Sequence, residues 1–394
     1  MQRISARLFA ITSLIVGTLL PLGASAQWSG TNGQIFFAYS NAGVTSIAAA
    51  NPDMSQSHIV IQGSSTKFEQ DFAISKAGDK IVYVEGYSGA DPVLRIAKSD
   101  GTVPATIYTP TVAASSLSKP TFSPDGLTVF FIVDTHVFGP ANGIYSVVVA
   151  TGVATQLTSD VVVTPAVSTI GGGLVLSDTN SKLYFVKTKS SSPQTSEIDS
   201  INFNGSGVAT VYSSPTAFIS LSDILPNGTT LTFVYDMRAP DAQLHSVDTA
   251  TGLIVKQVTN VTAPDGIQYT SGSYSPDQVS LIYTVQDYSV MAKFVGAAIV
   301  KADGSGTPTA FRADARMPNW STTPLAAAGT YPTPLVLGDT TLQGGAGANV
   351  SSTSPGLPKA GTLPSRSLPL ALLSLGLLTV GAIEVVGRVR RTNR

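Results

Sequence analysis

Short apolar runs return along this chain, each with an aromatic residue in its third place. They are Ile35-Phe36-Phe37-Ala38, Ile81-Val82-Tyr83-Val84, Val129-Phe130-Phe131-Ile132, Leu183-Tyr184-Phe185-Val186, Leu231-Thr232-Phe233-Val234 and Leu281-Ile282-Tyr283-Thr284. Successive aromatics lie 46 to 54 residues apart, a period that marks a repeat architecture. A polar turn precedes the runs, most fully as Phe122-Ser123-Pro124-Asp125-Gly126 and Tyr274-Ser275-Pro276-Asp277-Gln278. Ile74 to Gly78, Leu176 to Asn180 and Ile224 to Gly228 hold the same register. Proline presets φ at the second turn position, and Gly or Asn accepts the positive φ of a tight reversal. A second reversal follows in most units, at Asp100-Gly101, Thr151-Gly152, Asn204-Gly205, Thr251-Gly252 and Asp303-Gly304. Each unit therefore predicts four short antiparallel strands, with the aromatic buried in the second. Six such units with no amphipathic helix between them predict an all-β fold, a six-bladed β-propeller.

The two ends of the array are incomplete. Trp28 to Gly33 aligns with the turn at Leu176 to Ser181, yet little chain precedes it to form a first strand. A seventh turn start, Met317-Pro318-Asn319-Trp320-Ser321, has no aromatic run after it. The strand ending at Trp320 is expected to insert into the first blade, closing the ring and removing two open sheet edges. The units resemble the TolB-type propeller repeat, whose hallmark is an aromatic-Ser-Pro-Asp-Gly turn before an apolar strand. The resemblance spans residues 28 to 321, strong at Phe122 to Gly126 and Tyr274 to Asp277 and degenerate at Leu176 and Leu225. It implies the ring and no activity, because such repeats occur in binding proteins, enzymes and regulatory domains of peptidases.

Outside the ring the pattern changes. Arg3 and Arg7, the apolar stretch Leu8 to Leu20, and Ala24-Ser25-Ala26 read as a signal peptide, residues 1–26. Residues 322–366 are rich in Pro, Gly, Ser, Thr and Ala and are expected to form a flexible stalk. Residues 367–387 are apolar over a length that spans a hydrocarbon core, and 388–394 carry four arginines that would stay cytoplasmic. Before that transmembrane helix stands Leu357-Pro358-Lys359-Ala360-Gly361, which resembles the L-P-x-T-G sorting signal of wall-anchored proteins, with Ala360 where that signal usually has Thr. The resemblance implies sortase as a partner; the alternative is a retained membrane helix. Both place the propeller at the cell surface, facing outward.

Composition narrows the chemistry. The chain has no cysteine, so it builds neither disulfides nor thiolate metal sites. Its formal charge of −1 and 12% charged residues leave no basic stripe for phosphates, which argues against nucleic acid. His58, His136 and His245 are spread over separate repeats, and the plain reading of each is structural. No H-E-x-x-H, P-loop, EF-hand or G-x-S-x-G motif is present. An acid follows the aromatic strand in four repeats, at Glu85, Asp134, Asp236 and Asp287, with Lys187 and Ser40 near the same place in two others. These residues would begin the loops between second and third strands, all on one face, and together would attract a basic partner or Ca²⁺. The plainer alternative is that they solvate loops and cap turns. No other cofactor is called for. The leading expectation is an extracellular module binding a protein or glycan. The alternatives are a polysaccharide hydrolase or lyase using those carboxylates, and a structural surface-layer component.

Overall fold

The computed structural model describes residues 28–331 apart from 42–43, 88, 113–114, 136–139, 160, 164–165, 191–194, 215–218, 236–241, 260–266 and 288–292. Side chains of 41, 68–70, 161–163, 166–172, 189–190, 267–268, 270, 287 and 293–295 are also outside the description. The expected signal peptide, the stalk beyond Tyr331, the sorting motif Leu357 to Gly361 and the transmembrane helix all lie outside these residues.

The first blade begins with β1 (Ile35–Asn41), β2 (Val44–Ala50) and β3 (His58–Ile61). The second holds β4 (Lys67–Ile74), β5 (Lys80–Tyr87), β6 (Ala90–Lys98) and β7 (Ala105–Tyr108). The third holds β8 (Ser116–Phe122), β9 (Thr128–Asp134), β10 (Gly143–Val148) and β11 (Ala154–Gln156). The fourth adds a short leading strand: β12 (Val161–Val163), β13 (Ala166–Ser177), β14 (Lys182–Ser190), β15 (Thr195–Asn202) and β16 (Ala209–Ser214). The fifth holds β17 (Ile219–Ile224), β18 (Thr230–Tyr235), β19 (Gln243–Asp248) and β20 (Ile254–Gln257). The sixth holds β21 (Ile267–Tyr274), β22 (Ser280–Asp287), β23 (Lys293–Lys301) and β24 (Thr309–Arg312), and β25 (Ala315–Trp320) follows.

Six antiparallel sheets result, one per repeat, and β25 supplies the inner strand of the first. It pairs with β1 so that Trp320 faces Ile35 and Ala315 faces Tyr39. Its turn is completed by the other end of the chain, through Ser321 N to Gln34 O at 3.1 Å and Gly33 N to Ser321 O at 2.9 Å. The six-bladed ring read from the sequence is therefore the fold, closed at Trp320. Trp28 goes elsewhere: its indole Nε1 donates to Ile74 O at 3.0 Å, and it packs with Ala73, Phe122, Leu174 and Leu176 inside the ring of first strands.

All six periodic aromatics sit in second strands and none is more than 2% exposed. At three seams the outer strand of one blade adds a ring against the next blade's aromatic: Tyr108 on Phe131 at 4.8 Å, Tyr212 on Phe233 at 5.3 Å and Phe311 on Phe37 at 5.8 Å. Large rings fill the wedge that opens between radiating sheets. The second reversals dock on the preceding blade as well. A Cβ on Gly101 would lie 2.0 Å from Val60 O, and one on Gly252 2.2 Å from Val211 O, and both glycines have positive φ. Glycine there answers both the turn and the close approach.

Past β25 the chain stays on the ring. Thr322 and Thr323 donate through Oγ1 to Lys76 O and Gly78 O, each at 2.8 Å. Asn51 then grips one residue through both of its backbone groups, donating to Ala326 O and accepting from Ala326 N at 3.0 Å each. Tyr331 N donates to Gln56 Oε1 at 3.2 Å, and the Tyr331 ring stacks on His58 at 3.6 Å.

Candidate functional site

The ring has two faces. The Ser-Pro-Asp-Gly turns and the glycine reversals occupy one, the turn face. Loops between second and third strands occupy the other, the loop face, where the sequence places its four acids. Alternation along a strand separates those acids. Glu85 lies two residues past Tyr83 and shares its side of the sheet, whereas Asp134 lies three past Phe131 and takes the opposite side. Asp236 lies outside the described residues. Asp287 ends β22 opposite Lys293, and its side chain is outside the description.

The Glu85 side chain is 6% exposed and meets Arg95 Nη1 at 2.9 Å, Lys67 Nζ at 3.7 Å and the Tyr87 hydroxyl. Burial opposes its ionisation, but hydrogen bonds from Tyr87 and Arg95 and the nearby cations outweigh that and hold the carboxyl below its usual range. Asp134 is half-buried, and its backbone carbonyl accepts from Ser116 Oγ at 3.3 Å. Asn142 Oδ1 secures the loop beyond it, accepting from Thr135 N at 2.8 Å and Thr135 Oγ1 at 2.7 Å.

Lys187, the exception among the acids, has a counterpart arrangement. It contacts Glu197 at 3.1 Å and also Asp199, whose side chain is 1% exposed. Burial opposes the Lys187 charge, and the two carboxylates override it and push its pKa up. Arg95 stands opposite Tyr83 and Asp199 opposite Phe185, so blades two and four carry the same cross-strand pair with the signs exchanged. Blade five fills those places with Tyr235 and His245. His245 packs 5.2 Å from Tyr235 and 6.1 Å from Phe233, and burial lowers its pKa. His58 engages Gln56 O through Nδ1 at 2.9 Å, and His136 lies outside the described residues.

At the centre, the first strands form a wall that the sequence did not announce. Each shifts register in its middle: between Glu69 and Phe72, Ser118 and Thr121, Ile170 and Leu174, Leu221 and Asp223, Thr270 and Gly272, and, on β25, Asn319 and Arg316. Lys119, Gly173, Ser271 and Met317 hold positive φ at these bulges, at 52°, 139°, 36° and 46°. The bulges free backbone N–H groups, and side chains of the neighbouring blade take them up. Lys119 N donates to Asp71 Oδ2 at 3.0 Å, Trp320 N to Ser273 Oγ at 3.1 Å, and Gly272 N to Ser222 Oγ. Asp223 accepts from Tyr274 N at 2.8 Å and from Ile224 N at 2.8 Å. Burial pushes the Asp223 carboxyl up to about 7 against these bonds. The signal was present as Lys-Pro, Ser-Gly and Met-Pro two to three residues before the turn-opening residue.

These residues and Trp28 surround a cavity of about 100 Å³, with Lys119 and Asp71 paired at 3.2 Å on its wall. Pockets that hold small ligands usually run from about 300 to 1,000 Å³, so the channel takes little beyond water. Among the described residues no three His, Asp or Glu side chains gather closely enough to hold a metal ion.

Solved structures share this architecture. TolB from Acinetobacter baumannii superposes with a TM-score of 0.53 at 18% identity, over 73% of this chain and 66% of that one. The fold is TolB-like. A putative TolB from Agrobacterium tumefaciens gives a TM-score of 0.51 at 14% identity, over 72% of this chain and 90% of that one. An oligogalacturonate lyase from Vibrio parahaemolyticus gives 0.43 at 11% identity, over 69% and 71%. No protein-family model matches the sequence, and no curated protein matches it. At these identities the TolB-like ring is shared and no ligand, partner or reaction comes with it.

Proposed function

We propose that this protein is a surface-anchored extracellular binding module whose TolB-like ring presents its loop face to a protein or glycan. The observation that carries the reading is the exit of the chain. Thr322, Thr323 and the Asn51–Ala326 clamp bring the segment after β25 out along the turn face. A tether that begins at the turn face leaves the loop face, with Asp134 and the blade-four hairpin of β12 and β13, unobstructed by its own attachment. The expected stalk of residues 322–366 loses its first ten residues to these contacts with the ring, so the part beyond Tyr331 provides reach, and the apolar segment 367–387 or sortase processing at Leu357 to Gly361 provides attachment. The hydrolase or lyase alternative needs two carboxylates facing one another across about 5–10 Å. Glu85 is committed to Arg95 and Lys67, which favours binding over acid–base work.

The test is the full chain in lipid nanodiscs, applied to a glycan array and to extracellular matrix and cell-wall fractions. Saturable retention that survives added salt supports the reading. Release of reducing or unsaturated sugar ends instead of retention would replace it with the enzyme. The form of the anchor is tested by mass spectrometry of the mature chain: an intact Arg394 rules out processing between Ala360 and Gly361.

A further inference from the structure

The outer strands leave open edges around the rim of the ring, and one differs from the rest. β3, β7, β11, β16 and β24 each bury or half-bury part of their length, whereas all four residues of β20 are exposed. The chain entering β20 is apolar: Leu253 is 68% exposed, Ile254 46% and Val255 61%. Val208, 54% exposed, leads into the neighbouring β16, against which the blade-five reversal packs at Gly252. Asp248 N closes that reversal on Leu253 O at 3.0 Å; in the same bond blade two has Lys98 and Thr102, and blade four Asn202 and Ser206. Blade three has Val153 there, but its strand continues as Ala154-Thr155 rather than as a branched apolar pair.

Proteins blunt exposed sheet edges with proline or charge. Pro104 and Pro308 stand directly before β7 and β24, and no proline stands in residues 248–257. β20 pairs with β19 on its inner side and ends its sheet on the other, where its backbone groups face no further strand of the blade. Within residues 248–257 the charged groups are Asp248 and Lys256, of opposite sign. Lys256 Nζ donates to Asp303 O in an exposed bond, and surface bonds of this kind contribute little. Such a strand is self-complementary. Turned about a twofold axis at Val255, a second β20 runs antiparallel to the first, with Lys256 opposite the partner's Ile254 and Gln257 opposite the partner's Leu253. Leu253 adjoins Asp248 in its own reversal, so each Lys256 comes within reach of the partner's Asp248.

We infer that β20 is a self-association edge: two copies of this chain pair through Leu253 to Gln257, antiparallel about Val255, and the apolar side chains of the two edges cover one another. Leu253, Ile254, Val255 and Val208 with one short strand fall below the about 800 Å² per partner of a standard interface, so the pair is weak and forms where copies are concentrated. β20 runs from the turn face to the loop face, so the paired rings are inverted relative to one another. The contact lies on the rim and covers neither loop face.

The experiment is sedimentation velocity on the full chain in lipid nanodiscs carrying one copy each, from about 1 to about 100 μM, where a weak pair becomes populated. Paired discs appear toward the upper end. Val255→Lys sets like charges against each other on the axis, weakens pairing by about tenfold or more, and leaves the melting temperature within about 2 °C because the position is exposed. Since the chain has no cysteine, oxidation of single-cysteine variants reads the register. Val255→Cys links two copies, while Val148→Cys, exposed on blade three, does not. Discs that stay single throughout overturn the inference, as does pairing that Val255→Lys leaves intact, or linking as ready at position 148 as at 255.

Discussion

Glu85 illustrates how a residue chosen for its charge turns out to serve the scaffold. Its carboxylate is nearly covered and its principal partner is Arg95 at 2.9 Å. Removing one member of a buried pair strands the other, at a cost of about 3–5 kcal/mol, whereas replacing both by apolar groups is near neutral. Arg95→Met is therefore expected to destabilise toward the low end of that range, because Lys67 remains, and Glu85→Met with Arg95→Met to recover most of the loss in urea denaturation. Titration gives a second check. The Glu85 carboxyl is held low, so its stabilisation is present above the unfolded value of 4.5 and lost as pH falls through the depressed folded value. Asp223 has the opposite sign: raised to about 7 from 3.8, it contributes stability below 3.8 that is lost as pH rises through about 7. The melting-temperature advantage of wild type over Asp223→Asn should shrink steadily from pH 4 to pH 8. A constant difference would show that Asp223 keeps one protonation state throughout.

At the scale of elements, the second strands and their turns were legible because burial and φ requirements act locally. Phe131 and Tyr283 needed an apolar run, and Pro124 and Pro276 marked reversals, whatever the neighbouring blade did. Features decided between strands or blades were not legible. The Arg95 and Asp199 partners depend on cross-strand register, and the contact of Tyr108 with Phe131 depends on which strand reaches the next blade. The bulges at Lys119 and Met317 left a trace in the following prolines, but only the ring shows that they share a level. Gly252→Ala tests the docking of turns on the preceding blade. With φ near 68° and Val211 O only 2.2 Å from a Cβ, it should cost about 1–3 kcal/mol, more than the intrinsic propensity change. The strap is tested by Asn51→Ala, which removes both bonds to Ala326. Limited proteolysis should then cut within residues 324–331 faster than in wild type, while the ring melts within about 1–2 kcal/mol of it. Equal cutting rates would mean that Tyr331 on His58 is enough to hold the strap.

For the whole molecule, closure by β25 joins the two ends of the array in one sheet, and the strap then releases the chain along the turn face. A rigid closed ring with two distinct loop-bearing faces suits the recognition role proposed above. The absence of cysteine makes the geometry directly measurable, since any introduced thiol is unique. The decisive measurement is labelling of intact cells producing single-cysteine chains with a membrane-impermeant maleimide, at exposed Ala90 on the loop face and at Leu127, 60% exposed, on the turn face. The account predicts that Ala90→Cys and Leu127→Cys both react without lysis, and that a bulky polymer-linked maleimide reacts faster at position 90. Labelling of either only after the cells are broken would contradict it.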